Sequence, residues 1–230
     1  MTRRTLQGDP PVEITLRKSA RARRFSLRVS QLDGRVTLSM PARAEEAAAL
    51  AFAEEKAAWL RRVLGAHGPR EALGFGSELL FEGRRLVVRP AQVRAPVLSA
   101  DAIHLPQDPA RVGARLQAYL KLVARQRLQA ACERHAGQLG RRFRRITLRD
   151  TRSRWGSCTA QGDLMFSWRL VMAPAEVLDY VAAHEVAHLA EMNHSPAFWA
   201  VVARLVPDYE RHRRWLRSHG AALHRVDFGS

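Results

Sequence analysis

Apolar and polar positions alternate with period two over residues 12–18 (VEITLRK), 24–30 (RFSLRVS) and 35–39 (RVTLS). Such alternation predicts half-buried strands. Asp33-Gly34 supplies a tight-turn signal between the last two. After Pro41 the pattern becomes alanine-rich, with acid early and arginine late, and predicts one long helix stopping at Gly65 or Gly68. ELLFEGRRLVVRP then reads as two short strands about Glu82-Gly83, and a proline-punctuated stretch ends in DAIHLP. From Pro109 the period changes. Val112, Leu116, Leu120, Val123 and Leu128 recur at helical spacing, and the helix they predict ends at Gly137 or Gly140. RRITLRDTRSRWGSCTAQGDLMFSWRLVMAP predicts a strand, a turn at Gln161-Gly162-Asp163 and a returning strand. Helices follow after Pro174, at Ser195-Pro196 and after Pro207-Asp208. The fold class expected is α+β. A β-rich N-terminal lobe with one long helix occupies residues 1–106. A second domain, 107–230, places a β-hairpin before its helices.

The helix after Pro174 carries HEVAHLAEMNH, residues 184–194. His184 and His188 lie four apart, about 40° around a helix of 3.6 residues per turn, so both imidazoles reach one ion from one face. Glu185 sits beside the first, placed to take a proton from water on that ion. His194 would point about 120° away on a continuous helix, so a third ligand requires the helix to end first. Asn193, a residue that favours a left-handed cap, and the restart at Ser195-Pro196 provide for that break. Three nitrogen ligands with a fourth position open describe a catalytic site, since structural zinc is closed by four protein ligands.

RWGSC at 154–158, FSWRLVMAP at 166–174, LDYVAAHEVAHLAEMNHSPAFW at 178–199 and the following PDY together resemble the YgjP-like family. The N-terminal RARRFSLRVSQLDGRVTLSMP, with EEKAAWL after it, is similar to that family as well. The resemblance implies a zincin-type metallopeptidase, distantly SprT-like, with a zincin-like domain over 107–230. It also implies one Zn2+ per chain on His184, His188 and His194, with Glu185 as catalytic base. The spacing of the third histidine equals that of metzincins, but Glu191 stands where metzincins have a turn-making glycine, and no Met-turn is recognisable. Zincin-like proteases place an edge strand beside the metal, and the segment 149–158 is the candidate for it. Trp155, Gly156 and Ser157 are expected to line a substrate pocket, with Gly156 allowing close backbone approach. Arg152 and Arg154 suit carboxylate or phosphate recognition.

Composition narrows the setting. The net charge is +16 and all but three of the 38 basic residues are arginine. Such a field favours anionic partners, nucleic acid among them, although arginine bias also arises from genome composition. Seven arginines crowd residues 141–154, and as a set they read as a solvated basic face. Two distant cysteines, Cys132 and Cys158, exclude a disulfide framework, and Cys158 reads as a small buried residue. No apolar run approaches the roughly 18–20 residues of a membrane span, and the N-terminal MTRRTLQGDPP lacks the apolar stretch of a signal peptide. A cytoplasmic protein without membrane contact is expected. The oligomeric state is left open. His67, His104, His135, His212, His219 and His224 lack ligand spacing and are expected in loops or at the surface.

Three functions stay open at this point. A zinc metallopeptidase acting on peptide or protein is favoured. A metal-dependent nucleoside-triphosphate (UTP) pyrophosphatase, an assignment carried by members of the similar family, is the alternative. Three histidines suit Zn2+ better than the Mg2+ usual in nucleotide hydrolysis. The third is a basic nucleic-acid-binding module with a structural metal, and Glu185 argues against it.

Overall fold

The computed structural model describes residues 2–30, 34–65 and 73–229. The chain divides into two compact units, Met1–Arg70 and Glu71–Ser230.

In the first unit, β1 (Thr2–Leu6), β2 (Val12–Ser19), β3 (Ser26–Val29) and β4 (Val36–Pro41) form a sheet of order β1-β2-β4-β3. The period-two pattern turns Val12, Ile14 and Leu16 of β2 and Val36, Leu38 and Met40 of β4 to the same side. There they pack with Ala49 and Ala53 of α1 (Glu46–Glu55) and Leu60 of α2 (Ala57–Gly65). The single long helix expected here is two, interrupted at Lys56, whose ψ of 6° departs from helical geometry. β1 escaped the sequence pattern because TRRTL has one apolar residue, Leu6, and that is the one it buries. Asp33, His67 and Gly68 lie outside the described residues. Gly34, at φ 68°, occupies the left-handed region where glycine carries no steric cost.

The second unit begins with β5 (Glu78–Phe81), β6 (Arg84–Ala91), β7 (Val97–Leu98) and β8 (Ala102–Pro106), in the order β5-β6-β8-β7. The break expected near residue 106 is not where the compact units part. Leu79, Phe81, Leu86, Val88, Ile103 and Leu105 of this sheet share one core with Val112, Leu116 and Leu120 of α3 (Val112–Leu139). Burying both apolar faces in one core joins strands 78–106 to the helix that follows.

α3 holds the unit together along its length, about 42 Å at 1.5 Å per residue. Its second half, through Leu128, Cys132 and Ala136, packs on another core. That core contains β9 (Arg145–Arg149), β11 (Asp163–Ser167), α4 (Ala175–Ala187) and α5 (Pro196–Leu205). α6 (Tyr209–His219) packs against α4. α3 ends at Gly140, in the left-handed conformation (φ 61°), as glycine at this position favours.

The hairpin expected before α4 is real but smaller. β10 (Gly156–Cys158) and β11 pair antiparallel around the 159–162 turn, while β9 pairs parallel with β11 on its other side. Residues 150–155 are not strand, so the edge strand is Gly156–Cys158 rather than 149–158. The segment joining β11 to α4 is braced by the β5–β6 turn. Glu82 and Gly83 donate their N–H groups to the Val171 and Met172 carbonyls. Both residues have positive φ, 47° and 77°, as a type I′ hairpin requires, and a Cβ on Gly83 would meet Pro174 at 3.0 Å. No helix among the described residues is long and apolar enough to cross a membrane.

Candidate metal centre

α4 buries Leu178, Val181, Ala182 and Val186 in a core shared with α3, β11 and α5, and His184 and His188, one turn apart, share a stripe that packs on Phe198 of α5. Its last helical residue is Ala187. The chain tightens there, with Leu189 N–H donating to Val186 O and Ala190 N–H to Ala187 O. These i→i+3 bonds satisfy terminal carbonyls without a left-handed cap. The break that His194 needs is thus present, but it falls at His188, earlier than Asn193. Asn193 is not left-handed, because Glu82 is the one non-glycine residue with positive φ among the described residues. Ser195 then caps α5 through the Phe198 N–H, with Pro196 in its first turn.

The consequence is convergence. One nitrogen from each of His184, His188 and His194 lies within 4.8 Å of the others, and the Nε2 atoms of His184 and His194 are 3.1 Å apart. Two ligands of a tetrahedral metal with bonds of about 2.0–2.1 Å stand about 3.3 Å apart, a separation that the His184–His194 pair matches. His188 Nδ1 lies 3.1 Å from the Glu191 carbonyl; an Nδ1–H donated there leaves Nε2 free to ligate. Burial, then the neighbouring His188, His194 and Arg213, hold His184 down at about 3. Burial likewise lowers His188, against the Glu191 carbonyl bond. Neutral imidazoles are the form a metal takes.

Glu185 is buried, and burial pushes its carboxyl up to about 8 against the opposing Arg154 charge. Its carboxylate rests against the edge strand. A Cβ on Gly156 would come within 2.5 Å of Glu185 Oε1 and 2.6 Å of its Cγ. Only glycine fits there, so no side chain stands between strand and acid.

The other sequence-predicted residues divide. Arg154 acts electrostatically on Glu185, whereas Arg152 acts on Asp150 and His224. Ser157 pairs with Met165 on β10. Trp155 turns its ring into packing, tilted against His224 at 4.9 Å and against Gly220. Cys158 is half-buried, and burial followed by the Glu185 and Asp163 charges pushes its thiol up to about 11, which keeps it a protonated thiol.

Sequence reasoning missed the aromatic surround. Phe198 packs on all three histidine rings at 4.5–4.9 Å, and Trp199 lies against His184 and His194. Arg213 stacks over Trp199 at 4.5 Å. Phe198 is four residues beyond His194, which the α5 N-cap would have made readable. His135, His212 and His224, expected at the surface, are buried. His135 falls on the same helical stripe as Leu128, Ala131 and Cys132, a period that marks it as interior. It pairs with Asp179, and His212 with Asp208.

Comparison with known proteins gives three results. No curated protein matches the chain. Among solved structures, the crystal structure of the metallopeptidase zymogen of Pyrococcus abyssi abylysin aligns at 19% identity and a TM-score of 0.37, over 40% of this chain and 93% of that one. The model of the YgjP-like metallopeptidase domain matches residues 23–219. With that match spanning most of its length, the chain belongs to the YgjP-like family, and its class of chemistry is metal-dependent hydrolysis.

Proposed function

We propose that the chain is a zinc-dependent metallopeptidase in which His184, His188 and His194 hold the ion and Glu185 is the general base. The observation that carries this reading is the packing of Glu185 directly under Gly156 of a sheet-edge strand, beside three converging imidazoles. When bound there, Zn2+ supplies a Lewis acid for the scissile carbonyl and lowers the pKa of a coordinated water to about 7. Glu185 takes the proton of the attacking water on a carboxylate oxygen and returns it to the leaving nitrogen. The bond from His188 Nδ1 to Glu191 O fixes that ring's orientation. Phe198 and Trp199 pack the imidazoles and keep water off their faces. The outer edge of β10 offers backbone N–H and C=O groups to an extended peptide.

A second reading is a nucleoside-triphosphate pyrophosphatase, for which the Arg154 charge beside Glu185 is the supporting observation. Parallel assays of zinc-loaded wild type and Glu185→Gln on denatured protein and on UTP separate the two. Peptide cleavage that falls by about 10³-fold in the variant, with zinc content unchanged, is expected. Hydrolysis of UTP but not protein would select the second reading, and equal activity in the variant would remove Glu185 from both.

A further inference from the structure

A pocket of about 430 Å³ opens beside the histidine cluster, between the loop after His188, the β10–β11 turn and the end of α3. Arg141, Arg142, Thr159, Gly162, His188 and Met192 are among its walls. Its only charged lining is the two arginines. They differ from their neighbours in the arginine-rich stretch. Arg144 and Arg145 are both committed to Asp163. Arg141 and Arg142 are exposed and pair with no acid among the described residues. A helix C-terminus favours a nearby cation, which alone accounts for an arginine after α3. It does not account for two that share one pocket with a residue of the metal centre. The carbonyls of Ala136 and Gly137 are also already taken, by the N–H groups of Arg141 and Gly140.

We infer that this pocket is a substrate subsite for the carboxylate of an Asp or Glu side chain in an extended peptide lying along β10. The inference rests on the peptidase reading of the metal centre. β10 has Gly156 against Glu185 at one end and leads into Thr159, on the pocket wall, at the other. Those three residues span about 10 Å at about 3.3 Å each. A peptide antiparallel to β10 has its N-terminal side over Thr159, which puts the acidic residue about three positions before the cleaved bond. Two guanidinium groups with free N–H donors match a carboxylate in charge and in paired hydrogen bonding.

The test uses three fluorescein-labelled peptides that differ at one site: Asp three residues before a central bond, Asn at that position, or Asp three residues after the bond. Binding to zinc-loaded protein is read by anisotropy, and cleavage positions by mass spectrometry. Because a strongly basic protein attracts acidic peptides anywhere, Arg141→Glu/Arg142→Glu is compared with Arg84→Glu/Arg94→Glu, an equal charge change on exposed residues away from the pocket. Arg141→Gln/Arg142→Gln serves if the reversal variant does not fold. Wild type and the Arg84/Arg94 variant are expected to bind the Asp-before peptide about 10-fold more tightly than the Asn peptide, and the pocket variants to lose that preference. Equal affinities, loss of preference in the Arg84/Arg94 variant, preference for Asp after the bond, or tight binding of UTP without the peptide would each overturn the subsite. The two readings fail separately. Preferred binding without cleavage keeps the subsite and removes the peptidase; cleavage without preference does the reverse.

Discussion

Two groups of histidines lie about the same helix, and they are built in opposite ways. In one group, His135 lies with Nε2 3.0 Å from Asp179 Oδ1, and Arg134 holds the same carboxylate. His212 has Asp208 one turn away. Each of these histidines is matched to an acid of its own. In the other group, His184, His188 and His194 face one another, with nitrogens within 4.8 Å and no carboxylate among them. Glu185, the adjacent acid, is turned toward Gly156 instead. Buried polar groups settle where partners exist. A cluster of imidazole nitrogens with no acid of its own is the donor set that a metal cation would take. Composition does not distinguish the two groups. What differs is whether the carboxylate points at the ring.

The comparison can be broken in three places. The largest effect is expected at His194. His194→Ala should weaken zinc binding by more than about 100-fold, measured by competition with a chelating indicator. Unchanged affinity would leave a two-histidine pair and a bystander. Gly156→Ala comes next. A methyl group within 2.5 Å of Oε1 must displace the Glu185 carboxylate, and misplacement of about 1 Å costs about 100-fold in rate. Hydrolysis should fall by that order while zinc content stays at the wild-type level. Full activity would mean that the carboxylate is not held where the strand puts it.

The smallest effect belongs to the paired histidine. Burial works to raise the Asp179 carboxyl, but the hydrogen bonds and charges of His135 and Arg134 outweigh it and hold it below its ordinary value. A carboxylate depressed in the folded state contributes stability that is present above its unfolded pKa, about 3.9, and is lost as pH falls through the folded value. Asp179→Asn should therefore destabilise the protein by about 1–3 kcal/mol at neutral pH, and the gap to wild type should close below about pH 4. Thermal melts across that range measure it. Zinc content should not change in this variant, and a loss of zinc would merge the two groups into one.

The convergence of the three histidines was legible in the sequence because it is local. Spacing of four put two histidines on one face, and the restart at Ser195-Pro196 announced the break that brings in the third. The device that makes the break was not legible. Asn193 is the residue that local preference nominates, yet closure by i→i+3 bonds at His188 needs no special residue type. Gly156 was readable as a point of close approach, but its neighbour, Glu185, is distant in sequence. The extent of the second unit was hidden for a similar reason. Strands 78–106 form local pairs that suit a separate lobe equally well; what ties them to the histidine helix is the packing of Leu79, Phe81 and Leu105 on α3 and the bonds from the β5–β6 turn to Val171 and Met172, all distant in sequence. The loop 150–155 gave no break signal beyond a run of polar residues. The buried His135 was readable, had its place on the α3 stripe been weighed against its polarity.

Zinc K-edge X-ray absorption on the purified, zinc-loaded chain reads the ligand shell itself. One zinc per chain is expected, in a shell of nitrogen and oxygen at about 2.0–2.1 Å, with the outer scattering of imidazole rings that diminishes in His194→Ala. A sulfur at about 2.3 Å would bring Cys158 into the site, and a shell unchanged in His194→Ala would remove the third ligand; either result would contradict a three-histidine site.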